Sequence, residues 1–187
     1  MSDTIIAFDP SLNSTGIAVF KGGKPHKYES VSAYPLTDLQ RIYYNYQGFR
    51  RILSVYPDIQ CIAFEKQIPQ MRYHSNTGSI LGLAENIGVL KLAIIDEVLL
   101  KNPEVIVLAV PPQDIKIFAT GNGKATKEEM MDAVNKNHMK SIRSVIPEWS
   151  VNDVADAYHL AQLADSCLKD STYEKYLYSF LGEFAHI

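Results

Sequence analysis

The chain has 187 residues, 47% of them hydrophobic and 21% charged, with a formal net charge of −3. That length and balance suit one folded domain with a sizeable core, and no apolar stretch is long enough to cross a bilayer. A small negative charge argues mildly against a phosphate-rich partner unless the basic groups segregate on one face, and the two cysteines, Cys61 and Cys167, lie in apolar contexts that suit buried thiols rather than a disulfide or a zinc site.

In chain order, the run from Ile5 ends on Asp9 and Pro10, where proline stops a strand. A polar turn containing Gly16 leads to a second apolar run, Ile17 to Phe20, so a hairpin is expected with a carboxylate at the mouth of its first strand. Gly22-Gly23 make a turn, and Lys27 to Ala33 reads as a third strand. Thr37 is a candidate N-cap for a helix to about Val55, with Leu39, Ile42, Tyr43, Tyr46, Phe49, Ile52 and Leu53 on its expected buried face. Cys61 to Glu65 repeats the design of the first strand, an apolar run ending on an acid. In a mostly parallel sheet, ligands gather outside such strand ends, and neighbouring strands would bring Asp9 and Glu65 together.

The polar stretch from Lys66 to Asn76 reads as a loop above that edge. A largely apolar helix follows to about Leu100, whose Gly82 and Gly88 suit close approach of another helix, either within the fold or at a dimer interface. Glu104 to Val110 is a strand, and Gln113 to Ala119 a short helix. After a Gly-containing loop, Thr126 and Glu129 fit a capping box at the start of another helix. This region is basic, with Lys116, Lys124, Lys127, Lys136, Lys140 and Arg143; a solvated charged face is the more frequent reason for such a cluster, and the loop lacks the Walker spacing of a phosphate-binding loop. Trp149 is expected as a core or hinge anchor. On the last long helix, to about Leu168, Asp153 and Asp156 are three residues apart and so share a face. Asp153 alone could be a helix cap, whereas Asp156 lies among apolar neighbours; His159 reads as a hydrogen-bonded core histidine. Ser171 to Phe184 reads as an aromatic-rich helix packed over the core.

Four carboxylates, Asp9, Glu65, Asp153 and Asp156, thus have a common destination, and four negative charges in one pocket repel unless cations neutralise them. All-oxygen ligands favour a hard ion, Mg2+ with Mn2+ able to substitute, and two such ions can serve phosphodiester hydrolysis. A rim of Lys66, Arg72, Tyr73, Lys116, Lys124, Lys127 and Lys140 would then face DNA, which reconciles the acidic total with a nucleic-acid partner.

Phe8-Asp9-Pro10-Ser11 through Thr15-Gly16, Ala63-Phe64-Glu65, the stretch from Lys116 to Lys127, and Asp153-Val154-Ala155-Asp156-Ala157 resemble, in order and spacing, the motifs of RuvC-type Holliday junction resolvases over about residues 4 to 166. The first motif is shared with actin-like ATPases and sugar kinases; the late aspartate pair with the mid-chain Glu is far more specific. The resemblance implies an α/β, ribonuclease H-like mixed five-stranded sheet flanked by helices; the length suits a single domain spanning 1–187, and a C-terminal helical extension from about 170 goes beyond the usual bacterial domain. The resemblance also implies a homodimer, here through the 77–100 helix, and Mg2+-dependent paired nicks across a four-way junction. By matching position, Asp9, Glu65, Asp153 and Asp156 become metal ligands, while Lys116 and Lys127 match basic residues that assist at the scissile phosphate or contact DNA. Bacterial members carry a junction-wedging aromatic shortly after the Glu; here Ile68-Pro69-Gln70 stands there, and Tyr73 is the nearest aromatic. The alternatives are a less selective flap or branched-DNA nuclease of the same fold, a junction-binding module without activity, and an actin-like phosphotransferase, for which no second phosphate hairpin is visible. With no basic-then-apolar leader, the expected location is the cytoplasm, or a host's cytoplasm for a phage-encoded chain.

Overall fold

A computed structural model describes residues 3–11, 14–66 and 77–178, with residues 77–79 described in backbone only. Five strands, β1 (Thr4–Pro10), β2 (Thr15–Lys21), β3 (Lys24–Val31), β4 (Ile59–Glu65) and β5 (Ile106–Val110), form one sheet in the order β3-β2-β1-β4-β5. The first three pair antiparallel as a meander, while β1–β4 and β4–β5 are parallel. The helices are α1 (Asp38–Val55), α2 (Thr77–Ile94), α3 (Pro112–Thr120), α4 (Lys127–Ala133), α5 (Lys136–Val145) and α6 (Val151–Lys169). The mixed five-stranded sheet with flanking helices is the architecture expected.

Strand side chains alternate between faces, so each buried strand feeds two cores. Ile6, Phe8, Ile17, Val19, Ile62 and Phe64 meet α1 and α2 on one side. Ile5, Ala7, Ala18, Phe20, Cys61 and Ala63 meet α6 on the other. The small side chains Ala7, Ala18 and Ala63 lie against Ala155, Ala157, Ala161 and Ala164, which lets α6 settle close to the sheet. Complete burial of a side chain the size of Phe49 or Ile62 contributes about 1.5–3 kcal/mol each.

Four expectations are corrected. Leu39 and Tyr43 are exposed at 79% and 65%, because α1 meets the core mainly through its second half, with Phe49, Ile52 and Leu53 buried. The helix expected behind the Thr126 capping box forms as α4, and a further helix follows it: Val134 is extended, and Asn135 caps a new start by accepting from the Asn137 amide at 3.0 Å. The helix from Thr77 ends in a π turn, Ile95–Leu99, rather than continuing as α-helix to Leu100. Trp149 is 60% exposed and anchors no core; the neighbouring Val151 and Ser150 are the buried residues. The stretch after Ser171 is not a helix through Tyr178. A short 3-10 turn at Tyr173–Tyr176 passes into an extended strap, in which Leu177 bridges Leu108 antiparallel and the Tyr178 amide donates to Val107 O at 2.8 Å. Tyr176 packs in the α6-side core, and Tyr178 meets Phe64 on the opposite face at a ring distance of 5.6 Å. The strap wins over a helix because edge strand β5 offers it free backbone partners.

Candidate active site

Asp9 is buried in β1, and its register partner across the hairpin is Gly16. A Cβ on Gly16 would stand 2.1 Å from the carbonyl carbon and oxygen of Asp153, so only glycine lets the first turn of α6 rest on β2. This contact, with the hairpin register, draws the mouth of β1 and the start of α6 together. The turn between β1 and β2 completes the junction. Ser11 Oγ donates to Ser14 O at 2.6 Å and lies 3.3 Å from Asp153 Oδ2, while the Ser14 hydroxyl donates to that same oxygen. Asp156 lies three residues on, on the same face of α6.

Glu65 comes from the adjacent strand. It is in register with Val110, and the Lys66 amide continues the ladder by donating to Val110 O at 2.8 Å, which fixes the end of β4. The Asp9 carboxyl is pushed well above the usual carboxylate range, first by burial, then by the negative fields of Glu65, Asp156 and Asp153; Lys127 opposes these. Burial together with Asp153 raises Asp156 to about 6, against the pull of Lys127 and Lys116. Burial also raises Asp153, although Ser14, Lys127 and Ser11 favour its ionised form. Four acids from distant parts of the chain therefore act on one another in one place.

Of the lysines singled out, Lys127 and Lys116 reach this cluster. Lys127 opens α4 behind a complete capping box: the Glu129 amide donates to Thr126 Oγ1 at 3.2 Å, and the Thr126 amide donates to Glu129 Oε2 at 2.7 Å. Lys116 Nζ donates to Ala125 O at 2.7 Å and so ties α3 to the loop that carries Lys127. Lys66, Lys124 and Lys140 are exposed, at the end of β4, in the loop before α4 and on α5. Arg72, Tyr73 and the Ile68-Pro69-Gln70 segment lie outside the described residues. His159 is a core residue as read: its Nε2–H donates to Met130 O at 2.9 Å, and burial lowers its pKa.

The carboxylates fit a divalent cation in kind. They are oxygen donors and mutually repelling, Asp9 buried and Glu65, Asp153 and Asp156 half-buried, and the positive fields of Lys127 and Lys116 act on them only in part, Lys127 on Asp9, Asp153 and Asp156 and Lys116 on Asp156. They are not pre-set as a closed cage: among the described residues, no three acid, thiol or imidazole side chains already surround one point at ligand spacing. Asp153 is turned onto Ser14 instead.

Sequence reading missed Asn86. This buried α2 side chain donates to Ser11 O at 3.0 Å and to Thr15 Oγ1 at 3.0 Å, and accepts from Asn45 Nδ2 at 3.0 Å. It is the far support of the serine turn that holds Asp153. The signal was a lone amide within the apolar repeat of α2, since a buried amide needs partners.

A family model described as crossover junction endodeoxyribonuclease RuvC matches residues 5–163. Among solved structures, the chain is similar to Thermus thermophilus RuvC, at a TM-score of 0.64 and 18% identity, covering 94% of this chain and 99% of that one. It is similar to T. thermophilus RuvC in complex with a Holliday junction substrate at 0.66 and 17% identity, with the same coverage of 94% and 99%. The yeast mitochondrial Holliday junction resolvase Ydc2 matches at 0.57 and 12% identity, over 91% of this chain and 82% of that one. A search of curated protein sequences returns no match.

Proposed function

The chain belongs to the crossover junction endodeoxyribonuclease RuvC family, and from that premise we propose that Asp9, Glu65, Asp153 and Asp156 form its catalytic metal centre, resolving four-way DNA junctions by paired nicks. The observation that carries this reading is the Asp9 carboxyl, which feels Glu65, Asp156 and Asp153 at once. Those acids would hold two Mg2+ ions, or Mn2+ in their place. The chemistry such ions supply is activation of a water and stabilisation of the leaving oxygen of a phosphodiester.

The chain's own residues set the stage for that chemistry. The Ser11–Ser14 turn orients Asp153, and Glu65 is held at the rigid end of a paired strand. Lys127, whose field reaches Asp9, Asp153 and Asp156, stands where a scissile phosphate must approach the acids; Lys116 braces its loop and adds charge near Asp156. Lys66, Lys124 and Lys140 extend the proposed DNA contacts around that point, and Arg72 and Tyr73 are proposed as DNA contacts from the sequence alone. A homodimer through α2 would deliver the paired nicks. Its support is an exposed stripe of Leu81, Ala84, Gly88 and Leu92 at helical spacing, with open space above Gly88.

The deciding experiment is Asp156→Asn with a labelled synthetic junction and Mg2+. Cleavage should fall roughly a thousandfold or more, as when charge stabilisation at a reacting centre is lost, while gel-shift affinity for the junction stays near that of the unaltered protein. Retained cleavage would sink the assignment. A substrate panel completes the test, since four-way junctions should be cut faster than flaps.

A further inference from the structure

Beside the β5 edge, between α2 and the C-terminal strap, lies a cavity of about 240 Å3. Among the described residues, its walls carry the lysines Lys66, Lys91 and Lys175 and the aromatic rings of Phe64, Tyr176 and Tyr178, and no carboxylate. In a chain whose net charge is −3, this is a local concentration of positive charge, met from behind by the field of Asp114 on Lys175. None of the three lysines enters an ion pair among the described residues. Ring faces serve two of them: Lys91 Nζ lies 4.9 Å from the Tyr178 centroid and 5.8 Å from that of Phe64, and Lys175 Nζ lies 4.5 Å from the Tyr176 centroid. A ring face holds an ammonium weakly and leaves its remaining donors for an anion. Tyr176 is fixed from behind, its hydroxyl donating to Asp114 Oδ2 at 2.9 Å.

The position is as informative as the composition. Lys66 directly follows Glu65, so the cavity opens beside the strand end that carries the proposed metal ligand. The wall formed by Lys175, Tyr176 and Tyr178 lies beyond residues 5–163, the span the family model matches. Ammonium groups beside one exposed aromatic ring, here Tyr178, are the chemistry that tracks a nucleic-acid strand, phosphates on the charges and a base on the ring.

We propose that this cavity is a second DNA seat, in which Lys66, Lys91 and Lys175 hold backbone phosphates of the strand leaving the catalytic acids and Tyr178 offers a stacking face. The inference rests on the reading of the chain as a junction-cutting enzyme. It adds a contact surface that the C-terminal strap builds.

The test uses the full chain carrying Lys91→Gln and Lys175→Gln together, with Lys24→Gln on β3, at the opposite edge of the sheet, as the control. Affinity for a labelled four-way junction is measured without divalent cation, so that nothing is cut, from about 50 to about 200 mM salt. The double variant should bind about tenfold more weakly, and the slope of log affinity against log salt should shrink by about 2, one for each lost phosphate contact. The control should move neither quantity, and both variants should melt with the unaltered protein. With Mg2+ and saturating junction, the double variant should cut at the unaltered rate, as befits lost binding rather than lost chemistry. An unchanged slope, or a loss no larger than the control's, overturns the seat. So does protection of the cavity by inorganic phosphate that leaves junction affinity unaltered, because the site would then serve a free anion. If the unaltered protein binds junctions without cutting them, the resolvase reading falls, and the salt slopes still decide the seat.

Discussion

A methyl group at position 16 would collide with the backbone of Asp153, and this one atom's absence is what allows two chain-distant aspartates to share a site. Gly16→Ala should therefore cost about 1–3 kcal/mol or more in urea denaturation, as overpacking against backbone does. Cleavage should fall further than junction binding, because α6 is pushed off the hairpin. Asn86→Leu removes the shared partner of Ser11, Thr15 and Asn45; with buried polar groups left unmet, a loss of about 1–3 kcal/mol is expected in the same measurement. The acids give a pH signature. Asp156 titrates at about 6 in the folded state, above its value in the unfolded chain, so it contributes stability that is fully present at acid pH and lost as pH rises through about 6. Asp9 and Asp153 are raised as well and act in the same direction. Metal-free protein should thus lose about 2–3 kcal/mol for Asp156 alone between about pH 4 and pH 6, and added Mg2+ should reverse the loss at neutral pH. Thermal melts across that range, with and without Mg2+, read both effects; a melting temperature that climbs steadily toward neutrality without metal would contradict the argument.

At the scale of elements, the acids were legible because each stands at an expected punctuation mark. Asp9 precedes a proline, Glu65 closes an apolar run, and the last pair opens a helix. The lysines were legible as a basic cluster, but not as two distinct jobs, since the brace from Lys116 to Ala125 O depends on how α3 turns back on the loop. Periodicity found Phe49, Ile52 and Leu53 of α1 but carried the buried face too far toward the helix start, because it records which residues are apolar, not which find a partner; Leu39 and Tyr43 stay exposed. The strap was illegible for a similar reason, as aromatic spacing cannot reveal an open strand edge waiting for backbone partners. The capping box, by contrast, was read directly and has a consequence for the site. Thr126→Ala should weaken α4 by about 1 kcal/mol and loosen the helix start that presents Lys127, lowering the cleavage rate while Lys127 itself is intact. A cleavage assay beside a denaturation curve separates this variant from Lys127→Ala.

For the whole molecule, the sheet divides the labour. The α6 face, lined with alanines, brings a rigid helix close enough to complete the acidic centre. The α1–α2 face carries larger side chains and leaves a stripe of α2 uncovered. Leu92→Glu should therefore keep the fold while shifting sedimentation toward the monomer, if that stripe joins two copies.

The strap along β5 has one more effect, on the company the protein keeps. A sheet ending in a bare, hydrophobic strand is a template on which other chains can grow, and Leu177 and the Tyr178 amide occupy that template from within. Ending the chain after Asp170 would uncover it. The shortened protein should clump on concentration, with light scattering rising before any loss of helical circular dichroism, which makes the tail a guardian of solubility as much as a part of the machine.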